Sequence, residues 1–169
     1  MSFRDRLVFD ETQGTYHDGT MRYMFIKPEA VMHIALEMPE DQRPAVFEAM
    51  ARSVFKNGGK SAQTYQEAGA VNPDDLLAVI RETAGQLGWG KWTTELVDGR
   101  LRVTVANSPF VMGYGASDTP VCAPILGMLR AVSGMILGGA TDVSEVQCAA
   151  TGADSCVFEA RLADTLAGS

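Results

Sequence analysis

The alternation of apolar and polar positions divides the chain into stretches of two periods. Thr20 to Ile26 is aromatic and aliphatic and follows a turn signal at Asp18-Gly19, which predicts a strand. Pro28 then stands where a helix opens, and Val31, Ile34, Ala35 and Met38 recur at helical spacing. From Asp41 to about Ala68 the stripe Val46, Phe47, Met50, Val54 and Phe55 predicts a long helix. Gly58-Gly59 interrupts it at about 1 kcal/mol per glycine relative to alanine. A close helix crossing or a kink would explain the pair. Asn72-Pro73-Asp74-Asp75 is a helix start with acids in its first turn, and Leu76, Leu77, Ile80 and Leu87 form the side to be buried.

After Gly88 the period falls to two. Trp92 to Val97 and Arg100 to Ala106 flank Asp98-Gly99, a strong hairpin signal. Leu101, Val103 and Val105 alternate with Arg100, Arg102 and Thr104, so one face meets a core and the other meets water. Thr119-Pro120 opens a helix running to about Gly138, and Thr141 to Ala150 with Ser155 to Leu162 make a last hairpin around Gly152. The order is strand, three helices, hairpin, helix, hairpin. It predicts an α+β fold, an antiparallel sheet with helices packed on it, in a single domain over residues 1–169.

Composition narrows the partners. With 169 residues, 46% of them apolar, the chain has material for one sizeable core. A net charge of −7 repels phosphates, which argues against nucleic acid and against an anionic membrane surface. The apolar stretch from Pro120 to Ala140 contains Pro124, Arg130 and several glycines and lacks a polybasic flank. It reads as a buried helix rather than a membrane span. The N-terminus has no apolar signal segment, so the three cysteines are expected in a reducing, cytoplasmic setting.

Cys122, Glu145, Cys148 and Cys156 form the most informative constellation. Cys148 and Cys156 are equidistant from Gly152, so a hairpin turning there sets them opposite each other, with Cβ atoms about 4.5–5.5 Å apart. Two thiolates sharing a zinc need a similar separation. Cys122 falls in the first turn of its helix, where the dipole favours a thiolate. Glu145 lies three residues before Cys148. On a regular strand that odd spacing separates them to opposite faces, and they converge only if the strand bulges or bends. Three separate buried thiols, or a disulfide between Cys148 and Cys156, fit the spacing as well.

The run Pro120-Val121-Cys122, Leu126-Gly127, Glu145-x-x-Cys148-x-x-x-Gly152-x-x-x-Cys156-x-Phe158 resembles the 4-vinyl reductase domain family. That family shares a fold group with Golgi transport-particle subunits and haem nitric-oxide-binding domains. It includes sensory domains of aromatic-responsive activators, archaeal hydrocarbon-binding proteins and a protein of bacteriochlorophyll synthesis. The resemblance covers about the last 50 residues by motif; upstream, only the order of elements is similar. It implies a zinc ion held by Cys122, Glu145, Cys148 and Cys156, and a homodimer. Four protein ligands would leave no open position, so such a site would be structural.

The resemblance further implies a pocket for a small hydrophobic ligand between helices and sheet. Phe55, Gly58, Gly59, Trp92, Val103, Val105, Phe110 and Tyr114 are its expected walls, with Trp89, Tyr65, Met112, Met128 and Met135 as further apolar candidates. The plainer reading of each is an ordinary core position. Phenol-sensing relatives orient the hydroxyl with a histidine and a tryptophan upstream of the first cysteine. This chain has only His17 and His33, both too early, and Leu101 stands near the tryptophan's place. Three functions follow: a binding module acting as sensor or carrier, an enzyme reducing the vinyl group of a chlorophyll precursor, or a protein-assembly factor. The enzyme reading is the weaker of the first two, since Gly88/Gly90 and Gly113/Gly115 do not extend to a dinucleotide fingerprint.

Overall fold

The computed structural model describes residues 2–67 and 72–164, without the side-chain surroundings of residues 59–67. It opens with a single helical turn, α1 (Phe3–Arg6), and three short strands, β1 (Val8–Asp10), β2 (Thr15–Asp18) and β3 (Met21–Tyr23), paired antiparallel in that order. The strand expected over residues 20–26 is thus shorter, and it belongs to a separate sheet. Beyond Tyr23 the chain leaves the ladder, and Met24 and Phe25 are each 75% exposed.

Helix α2 (Pro28–Leu36) follows, with proline in its first turn where no amide hydrogen is needed. Its inward side is Met32 and Ala35, both fully buried, whereas Ile34 points outward; the expected stripe is rotated on the helix. A 3-10 turn (Glu40–Gln42) leads into α3 (Arg43–Glu67). The predicted end at Ala68 lies outside the described residues. Ala51 is the buried centre of α3, with Phe47, Val54 and Gly58 half-buried around it, and Phe55 lies exposed on the other side. In α4 (Pro73–Gln86) the Asn72 side chain caps the helix by accepting from the Asp75 amide at 2.9 Å, and Leu76, Leu77 and Ile80 are buried.

The hairpin of β4 (Lys91–Val97) and β5 (Arg100–Ala106) turns at Asp98-Gly99, whose φ angles of 50° and 70° are those of a two-residue hairpin loop. A short helix, α5 (Pro109–Tyr114), then packs on α2. Gly113 permits this, because a Cβ there would stand 2.6 Å from the Pro28 carbonyl carbon. Helix α6 (Ala123–Leu137) starts three residues later than expected, with Cys122 as its N-cap residue and Pro124 in its first turn. Strands β6 (Thr141–Gln147) and β7 (Cys156–Leu162) complete a second antiparallel sheet of order β4-β5-β7-β6.

The α+β architecture therefore stands, with a small N-terminal sheet added. Helix α6 is the hub. Val121, Ile125, Leu129 and Val132 are buried between the larger sheet and α3. At Gly127 the α3 backbone comes so near that an added Cβ would collide with the Ala51 carbonyl. No described helix is long and apolar enough to cross a membrane.

Candidate metal centre and apolar pocket

The four residues singled out by spacing come together. One ligand atom from each of Cys122, Glu145, Cys148 and Cys156 lies within 4.8 Å of all the others. The sheet register shows how. From Thr141↔Leu162 to Glu145↔Phe158 the β6–β7 ladder is regular, but the next pair is Gln147↔Val157, which leaves Val146 as an extra residue. Thr141, Val143 and Glu145 face inward along β6. Val146 and Gln147 then both face water, and Cys148 returns to the interior. The bulge adds the one residue needed to bring an odd spacing onto one face. It also shifts the register so that Cys148 comes opposite Cys156.

The sulfurs of Cys122 and Cys156 are 3.5 Å apart, and those of Cys156 and Cys148 4.0 Å apart. Thiolates on a tetrahedral zinc, each about 2.3 Å from the ion, stand about 3.8 Å from one another. All three cysteines are free and at most 1% exposed, so no disulfide joins Cys148 to Cys156. Glu145 Oε2 accepts from the Cys122 amide at 3.1 Å, an N–H freed by the N-cap position, while its buried Oε1 has no partner. Two groups unforeseen from sequence complete the shell. Ser108 Oγ lies 3.2 Å from Cys122 Sγ, and the Ala149 amide donates to Cys156 Sγ at 3.4 Å.

The electrostatics are those of donors with too few protons removed. Hydrogen bonds with Cys122 and Cys148 draw the Cys156 thiol down to about 4. Burial, reinforced by Cys148, pushes the Glu145 carboxyl up to about 8. Hydrogen bonding to Cys148 and Cys156, together with burial, pushes the Cys122 thiol upward. A cation relieves this arrangement, because it displaces the protons that Glu145 and Cys122 still hold and pairs with the Cys156 thiolate. Three sulfurs, a carboxylate with one unpartnered oxygen and tetrahedral spacings fit a metal ion.

The expected ligand-pocket residues divide. Gly58 of α3 and Trp92 of β4 line an apolar cavity of about 240 Å³ between α3, α4, α6 and the β4 hairpin. Trp89, Met128, Ile80 and Val132 add to its walls, and Tyr23 reaches it from the N-terminal sheet. Trp92 Nε1 donates to the Trp89 backbone carbonyl at 3.0 Å, which fixes the Trp92 ring at one end. Val103, Val105 and Phe110 belong to the packed core, and Phe110 meets Trp89 edge-to-face with ring centroids 5.2 Å apart. Phe55 is 46% exposed on the outer face of α3, so it does not reach the cavity. Tyr114 lines a different, more open cleft of about 740 Å³, whose wall includes Glu145. The surroundings of Gly59 and Tyr65 lie outside the described residues. Tyr23 carried no sequence signal, since strand pairing within the first sheet is what brings it there.

Residues 101–162, from the start of β5 to the end of β7, match the V4R domain family model. No curated protein sequence matches the chain. The fold is similar to that of the phenol-responsive sensory domain of the transcription activator PoxR, crystallised with phenol. The two are 16% identical over 94% of this chain and 86% of that one, with a TM-score of 0.79. A vinyl-4-reductase family protein from Methanocaldococcus jannaschii is 16% identical over 85% of this chain and 99% of that one, with a TM-score of 0.50. Trafficking protein particle complex subunit 3 from Naegleria fowleri, covalently bound to palmitic acid, is 12% identical over 81% and 95%, with a TM-score of 0.58. These likenesses establish a shared fold, and the family match spans all four clustered residues. Over the stretch from β5 to β7, the chain is similar to the V4R domain family.

Proposed function

We propose that this protein binds a small aromatic or similarly apolar molecule in the cavity between α3, α4, α6 and β4, as a sensor or carrier. A zinc ion on Cys122, Glu145, Cys148 and Cys156 holds the adjoining frame together. The observation that carries the reading is the cavity. It is walled by Trp89, Trp92, Met128, Ile80 and Val132, with Asn57 and Thr83 as its few polar neighbours. Its 240 Å³ exceeds the ~150 Å³ that accommodates a benzene ring in an engineered cavity and falls below the ~300 Å³ at which drug-sized pockets begin. One or two rings suit that volume better than a tetrapyrrole. The phenol and palmitate named for two proteins of this fold are in keeping with an apolar ligand.

Zinc is favoured by the donor set, since thiolates with one carboxylate suit a borderline-soft ion. Bound there, it supplies a cross-link between the start of α6 and the β6–β7 connection. Among the described residues no histidine or carboxylate lines the apolar cavity, so a proton-transfer role is not supported there. A reducing cytoplasm suits three free thiols. A homodimer is supported by the apolar outer face of the N-terminal sheet, where Phe9 is 47% and Phe25 75% exposed on either side of Tyr16.

The chain's two tryptophans both line the cavity, so their fluorescence reports on occupancy. Titration with one- and two-ring aromatic hydrocarbons should quench or shift the emission saturably. Native mass spectrometry should show the matching mass at one molecule per chain. A linear, unsaturable response to every hydrocarbon tried, with no ligand mass retained, would refute the reading.

A further inference from the structure

Glu145 differs from the three cysteines in what lies on its far side. The sulfurs are sealed within the core. Glu145 is half-buried and forms part of the wall of the 740 Å³ cleft bounded by the first half of α3, the loop after α5 and β6. None of the cysteines lines that cleft. Glu145 also stands on an edge strand next to the bulge at Val146, where ladder bonds on one side are missing and the backbone is freest to shift. A carboxylate oxygen matches a borderline-soft ion less well than thiolate sulfur does.

The charge of the cleft has a sign. Glu40, Glu48 and Asp118 outnumber Arg43 and Arg130 on its walls. Arg130 is engaged by both oxygens of Glu48, at 3.1 and 3.2 Å, and Arg43 donates to the Met38 carbonyl. Such a cleft attracts a small cation and repels a small anion.

We propose that this cleft is the passage by which a divalent metal ion enters and leaves the cluster, with Glu145 as the ligand that swings aside. The inference rests on the reading of the cluster as a metal site. It makes the metal exchangeable in the folded protein, although its sulfur ligands are inaccessible.

The test begins with metal analysis of the purified full chain. Less than about one zinc per chain after reconstitution under reducing conditions overturns the metal reading, and the passage with it. With zinc bound, its release to an excess chromogenic chelator is timed. Release should be first-order and insensitive to urea below the unfolding transition, and at least tenfold faster in Glu145→Gln. Asp118→Lys keeps all four ligands. It should slow zinc reloading several-fold at about 10 mM salt, where the Debye length is ~30 Å, and not at about 1 M, where it is ~3 Å. If release instead rises with urea in step with global unfolding, or if either variant exchanges at the wild-type rate at low salt, the passage is wrong while the metal site stands.

Discussion

Substituting Gly127→Ala tests whether the contact of α3 with α6 is as tight as the structure shows. A Cβ at this position would lie 2.9 Å from both Cα and the carbonyl carbon of Ala51, and closer still to the carbonyl oxygen. These are backbone atoms in the middle of a helix, so no side chain can rotate away. Carbon atoms at rest stand about 3.5–4.0 Å apart, so the helices must part by more than half an ångström, and a gap of that size forfeits about a quarter or more of each dispersion contact along the seam. Overpacking of this kind costs up to about 3 kcal/mol. Alanine's better helix propensity returns about 1 kcal/mol. The net expectation is a loss of about 2 kcal/mol, which for a chain of this size lowers the melting temperature by about 4–8 °C. Gly85→Ala in α4 is the control. Its nearest neighbour would be the Gly90 carbonyl oxygen at 3.8 Å, so propensity alone acts and the change should be neutral or stabilising. Urea and thermal unfolding of both variants, with zinc saturating, measure the difference. A Gly127→Ala protein as stable as the wild type would refute the packing argument.

Two further outcomes are expected. Gly58→Leu places a branched side chain against the flexible end of Met128, whose Cε stands 2.8 Å from where a Cβ at this position would lie, and should occupy the apolar cavity. Hydrocarbon affinity, followed by tryptophan emission, should fall at least tenfold while far-ultraviolet circular dichroism stays unchanged. Removal of zinc should lower the melting temperature by about 5–10 °C when the free ion had been a hundredfold above its dissociation constant, a stabilisation of about 2.7 kcal/mol. That difference should grow from pH 6 to 8. In the metal-free protein the Glu145 contribution is present below about 4.5 and lost as pH rises to about 8, whereas the Cys156 contribution is present above about 9 and lost as pH falls to about 4. The two slopes oppose each other and leave the metal-free protein nearly level between them. Metal binding must displace the protons on Glu145 and Cys122, so the loaded form gains on the metal-free one throughout the rise from pH 6 to 8. Equal zinc-induced shifts at pH 6 and pH 8 would refute the assignment.

Much of this arrangement is legible in the chain because it is written in local chemistry. Asn72-Pro73, Asp98-Gly99 and the alternation of Leu101, Val103 and Val105 each specify backbone geometry over a few residues, and the structure has helix, turn and buried face where they stand. The cysteine–glutamate spacing even contains its own condition, a bulge, which Val146 meets. What sequence does not disclose depends on tertiary context. Strands of three and four residues at the N-terminus are too short to display a period, and α5 is a six-residue helix containing a glycine. The apolar stripe of α3 misleads at Phe55 because α6 selects Ala51 and Gly58 as its contact line, and the smallest side chains on a helix carry the weakest hydrophobic signal. Tyr114 and Trp92 are equally plausible pocket walls by composition. Only the path of the loop after α5 assigns Tyr114 to the acidic cleft instead.

The strand order β4-β5-β7-β6 has a consequence for the protein's biosynthesis. Strand β7 is made after the other strands, yet it occupies an interior place in the larger sheet, between β5 and β6. Until it emerges from the ribosome, the inner edge of β5 has no neighbour, and the ladder groups from Leu101 to Val105 lack their partners. At about 5–20 residues per second the interval between completing Ala106 and completing Leu162 lasts roughly 3–11 s. During that time the β4–β5 hairpin displays one open edge, long enough for another chain or a chaperone to find it. Completion of the larger sheet is therefore gated by the synthesis of its last described strand.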